Sequence, residues 1–147
     1  MISTFKKLFA GLLTEIPETK ERDKIIAMVA LLFEVSFADE SSSEQEEQII
    51  IKALCNLLKI DPVAATLLLE EGKQAKLSSN SLFEFTTQLS ELTQEERVRF
   101  IKVMWNVAYA DDHLDPIEEG VIRKVAKLLY VDHSAFIKTK LTVLENR

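Results

Sequence analysis

The chain has 147 residues, enough for one domain with a real core, and carries 18 Lys and Arg against 24 Asp and Glu for a net charge of −6. That balance argues against a dedicated nucleic-acid binder, whose phosphate contacts need clustered positive charge. With three Gly and three Pro in the whole sequence, a turn-rich all-β architecture and a glycine-rich phosphate cradle are excluded, and an all-α single domain over residues 1–147 is expected.

Along the chain, Ile2, Phe5, Leu8, Phe9, Leu12, Leu13 and Ile16 fall on one helical stripe, with Lys6 and Lys7 on another face. A helix packed on the core is the simpler reading. Peripheral docking at a membrane surface is the other, and it rests on two lysines only. The apolar run from Leu8 to Leu13 is too short to span a bilayer and no small-residue cleavage site follows it, so the cytoplasm is the expected location. Ser43-Glu44-Gln45-Glu46 is a capping box that opens a helix, and Asp61-Pro62 opens the next. Cys55, the sole cysteine, excludes an intramolecular disulfide and a multi-thiolate zinc site; its neighbours Ala53, Leu54, Leu57 and Leu58 predict a buried structural thiol. Ser78, Ser79 and Asn80 break the pattern after Lys76, and Leu82, Phe83, Phe85 and Leu89 suggest a short helix. Thr93-Gln94-Glu95-Glu96 and Asp115-Pro116-Ile117-Glu118 open two more helices, and Asp132 caps the last. The expected count is seven or eight.

A shift of 72 positions superimposes two segments. Ile26, Met28, Val29, Leu31, Leu32 and Phe33 fall on Val98, Phe100, Ile101, Val103, Met104 and Trp105, so hydrophobicity is kept position by position. Ala38-Asp39 then meets Ala110-Asp111, Glu46-Glu47 meets Glu118-Glu119, Ile50 meets Ile122 and Lys52 meets Lys124. After one extra residue in the first copy, Leu57, Leu58 and Asp61 match Leu128, Leu129 and Asp132. The half-repeats cover about residues 22–61 and 94–132, each a helix, an acidic loop and a second helix, and a pseudo-twofold pair of halves around one core is expected.

Asp39, Glu40, Glu44, Glu46 and Glu47 crowd one loop, and Asp111, Asp112, Asp115, Glu118 and Glu119 the other. Without those ten carboxylates, 14 acids stand against 18 bases, a net charge of +4, so the negative balance belongs to the two loops. Capping and the helix dipole explain Glu46 and Glu118. They do not explain Asp39 and Asp111, which follow long helices whose carbonyl ends favour cations. A bound divalent cation would resolve that conflict, a solvated charged surface and a docking patch for a basic partner being the other readings; for a cation, carboxylate oxygens select Ca²⁺, Mg²⁺ or Mn²⁺. Zn²⁺ would need His113, whose counterpart in the first loop is Ser41. Asp111, Asp115 and Glu119 are the expected ligands, supplemented by Asp112 and Glu118, with Asp39, Glu40 and Glu47 forming a weaker counterpart. The spacing is not that of an EF-hand, since no Gly stands at the sixth position and no Glu at the twelfth. His133 follows the Asp132 cap and reads as a surface residue.

Phe37-Ala38-Asp39-Glu40, Ser43 to Glu47, Tyr109-Ala110-Asp111-Asp112 and Asp115 to Glu119 together resemble the TerB family, the tellurite-resistance protein B group. The resemblance covers about residues 22–61 and 94–132. It implies an all-helical fold of two pseudo-repeated halves, no enzymatic activity, and a role for the acidic residues in divalent-metal binding within membrane-linked stress responses. Family members commonly carry Gly after the Ala-Asp pair. This chain has Glu40 and Asp112 there, and Asp tolerates a left-handed turn better than Glu, which ranks the second loop above the first.

The leading expectation is therefore a non-catalytic helical module that binds a divalent cation and engages a protein partner, with no nucleic acid involved. The alternative is a metal-independent interaction or co-chaperone adaptor holding a partner helix in a groove. A carboxylate-bridged di-metal enzyme is disfavoured because neither His113 nor His133 has a Glu three positions before it.

Overall fold

Apolar residues on every side of a helix predict a helix with neighbours on every side, and the segment that best meets this description forms the centre of the molecule. The computed structural model describes residues 20–36, 44–79, 81–110 and 115–146. They hold seven α-helices and no strand: α1 (Lys20–Ser36), α2 (Glu44–Leu58), α3 (Pro62–Leu77), α4 (Leu82–Gln88), α5 (Gln94–Ala108), α6 (Pro116–Leu128) and α7 (His133–Glu145). The stripe read over residues 2–16 lies outside the described residues. None of the described helices is long and apolar enough to cross a membrane.

Helix α1 buries Ile25, every residue from Ala27 to Phe33, and Val35. It packs most extensively on α3 and also meets α2, α4, α5 and α6. Its few polar residues reach outward to partners. One guanidinium nitrogen of Arg22 lies 2.6 Å from both carboxylate oxygens of Glu71 on α3. Lys24 is 9% exposed, yet its Nζ reaches Glu91 at 3.0 Å, the aliphatic stem lying along the core and the charge at its edge. The α1–α3 contact is close because Gly72 lies at it. A Cβ on Gly72 would overlap Val29 Cγ1 and stand 2.8 Å from Val29 Cβ and 3.2 Å from the Ala30 nitrogen.

The second broad contact joins α5 to α7. Trp105 is fully buried, its ring centroid 5.2 Å from Phe136 of α7 and 5.9 Å from Tyr109. The caps expected from sequence form: Asp61 accepts from Ala64 N at 2.8 Å, Thr93 and Glu96 complete a capping box, and Asp132 accepts from Ala135 N at 2.7 Å. Ser81, accepting from Phe83 N, starts α4. The Ser43 box lies outside the described residues.

Helix positions keep the sequence offset. Helices α1 and α5 end 72 residues apart, at Ser36 and Ala108, and α2 and α6 begin 72 apart, at Glu44 and Pro116. Beyond the one-residue insertion the two left-handed residues, Lys59 (φ 57°) and Tyr130 (φ 58°), are 71 apart, each two residues before the Asp that caps the next helix. Behind Tyr130 the chain closes a Schellman turn, with Tyr130 N donating to Lys127 O at 3.1 Å and Val131 N to Ala126 O at 2.8 Å. Arg97 fastens this end of α6 to the α4–α5 turn, donating to the carbonyls of Leu92 (3.0 Å), Leu129 (3.0 Å) and Ser90 (2.5 Å). Cys55 is half-buried against the core rather than fully enclosed, since its helix face lies at the margin of the α2 contact.

Candidate functional site: the acidic helix starts

Each acidic segment runs into a helix whose first turn is acidic: Glu44, Glu46 and Glu47 on α2, and Glu118 and Glu119 on α6. Carboxylates there face the unpaired N–H groups and the positive end of the helix dipole. In α6 the local geometry follows from three side chains. Pro116 takes the first helical position, where its missing N–H is no loss. Asp115 is extended (φ −80°, ψ 136°) and its Oδ1 accepts from Ile117 N at 2.7 Å. Glu118 reaches back to accept from Asp115 N at 3.2 Å, closing the capping box.

Glu119 points elsewhere. Its Oε1 accepts from Lys140 Nζ of α7 at 2.9 Å and from Arg123 at 3.3 Å, with the side chain 23% exposed. Both cations in turn lie over aromatic rings: Lys140 Nζ is 5.6 Å from the Trp105 ring centroid, and Arg123 is 5.5 Å from that of Phe136. One carboxylate, two cations and two rings thus form a stack that joins α5, α6 and α7. The equivalent residue of the first half, Glu47, has a looser partner, Lys73 Nζ of α3 at 3.7 Å.

Of the expected cation ligands, Asp115, Glu118 and Glu119 share the start of α6, where Asp115 and Glu118 serve the capping box and Glu119 turns to Lys140 and Arg123, and Glu47 lies at the start of α2. Asp39, Glu40, Asp111 and Asp112 lie outside the described residues, as does His113. Among the described residues no group of three His, Cys, Asp or Glu side chains is placed to hold a metal ion. The donors present at the α6 start are all carboxylate oxygens, which suit a hard cation, and Glu119 is already neutralised by two side-chain cations. Helices α1 and α5, which lead into the two acidic segments, carry no basic residue in their last turns. Asp39 and Asp111 each follow the last helical residue by three positions. His133 is exposed at the first position of α7, its ring stacked on Phe136 at 6.1 Å.

Sequence reasoning did not find Lys140, whose link to Glu119 spans 21 residues. The Glu119–Arg123 pair was available in its i,i+4 spacing. The other feature it left unmarked is an open channel between α4 and α6 with a mixed polar and apolar lining, bordered by Phe83 and Tyr130.

Among known proteins, the family model described as Tellurite resistance protein TerB matches residues 25–141. No curated protein and no solved structure matches the chain.

Proposed function

The chain belongs to the TerB family, and from that premise we propose that it is a non-catalytic helical module that binds a divalent cation through its acidic inter-helix segments and engages a protein partner in a cytoplasmic stress response to metal or tellurite. The observation that carries this reading is the pair of helix ends. Ser36 and Ala108 close helices without a basic residue in the last turn, and each is followed by acids rather than by the cations that carbonyl ends favour. A cation held there balances the carbonyls and the carboxylates together. Asp111, Asp112 and Asp115, with Glu118 and Glu119, supply oxygens of the kind that Ca²⁺, Mg²⁺ and Mn²⁺ take, and Asp39, Glu40 and Glu47 supply the weaker set. Zn²⁺ requires His113 in addition.

Calorimetric titration of the metal-stripped protein with Ca²⁺, Mg²⁺, Mn²⁺ and Zn²⁺, beside thermal melts, tests the reading. Saturable heat and a raised melting temperature are expected, because a ligand of the native state stabilises by mass action. The pair Asp111→Asn and Asp115→Asn should abolish both; Asn remains a good N-cap, so α6 keeps its start. Absence of heat and of any thermal shift with every ion would overturn the cation reading. The metal-independent alternative is favoured by one observation, the open channel between α4 and α6 bordered by the exposed Phe83, Ile117 and Tyr130.

A further inference from the structure

Two adjoining cavities, of about 280 and 560 Å³, run between α4 and α6 and share Phe83 and Leu128 in their walls. One end lies at Glu34 and Ile117 and the other at Tyr130. Phe83, Ile117 and Tyr130 stand along it with 54%, 55% and 82% of their surface exposed. Isolated exposed apolar residues are ordinary; here three large ones border a channel whose walls also carry Ser79, Ser81 and Ser90, an amphipathic lining.

The charge of this channel selects among occupants. Lys124 and Lys127, three positions apart on α6, line it and are exposed, with no ion-pair partner among the described residues. Arg97 contributes further positive charge, while its donors are committed to backbone carbonyls. Glu34 is the single carboxylate among the described lining residues and sits at one end. From Ile117 to Leu128 the channel follows α6 for about 16 Å, or three helical turns. We propose that it docks an amphipathic helical segment of a partner protein, about three turns long, whose apolar stripe is flanked by acidic residues. The chain's own residues 2–16 have the stripe but carry Lys6 and Lys7 beside it, the same sign as the channel. The inference goes beyond cation binding and does not depend on it.

The test is a titration of the isotope-labelled full chain, with chelator present, followed by amide chemical shifts. The probe is a synthetic 18-residue amphipathic peptide with leucines at i, i+3, i+4 and i+7, four glutamates flanking that stripe and alanine and glutamine elsewhere; a sister peptide carries lysines in place of the glutamates. Saturable shifts at Phe83, Ile117, Val121 and Tyr130 are expected with the glutamate peptide, and binding of the lysine peptide should be weaker by about tenfold or more. The exposed charge reversals Lys124→Glu and Lys127→Glu, made together, should invert that preference without disturbing the fold. Equal binding of both peptides, no saturable shift with either, or shifts confined to another face would overturn the proposal. So would binding to phosphatidylserine vesicles in place of the peptide, contacts from residues 2–16 to Phe83 in the free chain, or self-association through these residues on dilution analysis.

Discussion

Helices α1 and α3 in the first half and α5 and α7 in the second hold corresponding places in the chain, yet they are joined by opposite means. The first pair comes close because one side chain is absent. Gly72 lets α3 approach Val29 and Ala30 of α1, and Arg22–Glu71 closes the rim. The second pair meets through rings, with Trp105 against Phe136 and two cations over their faces. Similar hydrophobic patterns therefore fix which helices meet, and the size of one or two residues at each crossing fixes how near. Packing density is satisfied in both cases, once by deletion of volume and once by its addition.

Truncation of the filled crossing should have the largest effect. Trp105→Ala is expected to destabilise by about 3 to 5 kcal/mol, measured by urea unfolding, because no neighbouring side chain can fill the volume lost. Trp105→Phe keeps a ring and gives up an indole N–H that has no partner among the described residues, so its loss should fall well short of that figure. Equal losses would mean that ring volume is not what holds α5 to α7.

The close crossing breaks in the other direction. Gly72→Ala should cost about 1 to 3 kcal/mol by overpacking against Val29. Gly120→Ala on α6, where a Cβ meets nothing within 4 Å, should instead stabilise by about 0.5 to 1 kcal/mol through helix propensity. Were both to shift the melting temperature upward, the approach of α1 and α3 would have to be looser than described.

A smaller effect separates the two acidic helix starts. Glu119→Gln removes the contact of one carboxylate with Lys140 and Arg123 and should lower stability by about 1 kcal/mol, an effect reduced by added salt. Glu47→Gln, with a half-exposed partner at 3.7 Å, should change it by no more than about 0.5 kcal/mol. A melt series in low and high salt checks the difference, and equal sensitivity would remove the distinction between the halves.

How much of this could be read in advance depended on distance along the chain. Asp61, Thr93 with Glu96, Asp115 with Glu118, and Asp132 all cap as their local sequences predict, since a cap needs only its own three or four residues. The all-helical class was legible for the same reason, summed over many turns. Gly72 carries no local signal of its role, because the residue it admits, Val29, lies 43 positions earlier. Glu119 read as a candidate ligand, and its Arg123 partner was within one turn, but the hold of Lys140 depends on the α6–α7 angle. The channel between α4 and α6 was likewise invisible: Phe83 and Tyr130 belong to different helix ends, and only their meeting makes a surface. For Asp39, Glu40, Asp111 and Asp112, which lie outside the described residues, the sequence argument stands alone.

The left-handed turns at Lys59 and Tyr130 bear on exchange of helices between copies of the chain. Swapping requires a connector that can straighten into a hinge. At the first turn this route is closed twice, because Pro62 lacks the N–H needed to continue α2 into α3 and its ring would collide with the preceding turn. At the second turn His133 stands in the matching place and imposes no such stop. The reversal at Tyr130, with the hydrogen bonds that close it, the Arg97 contact to Leu129 and the Asp132 cap beyond, separates Pro116–Glu145 from a single continuous helix.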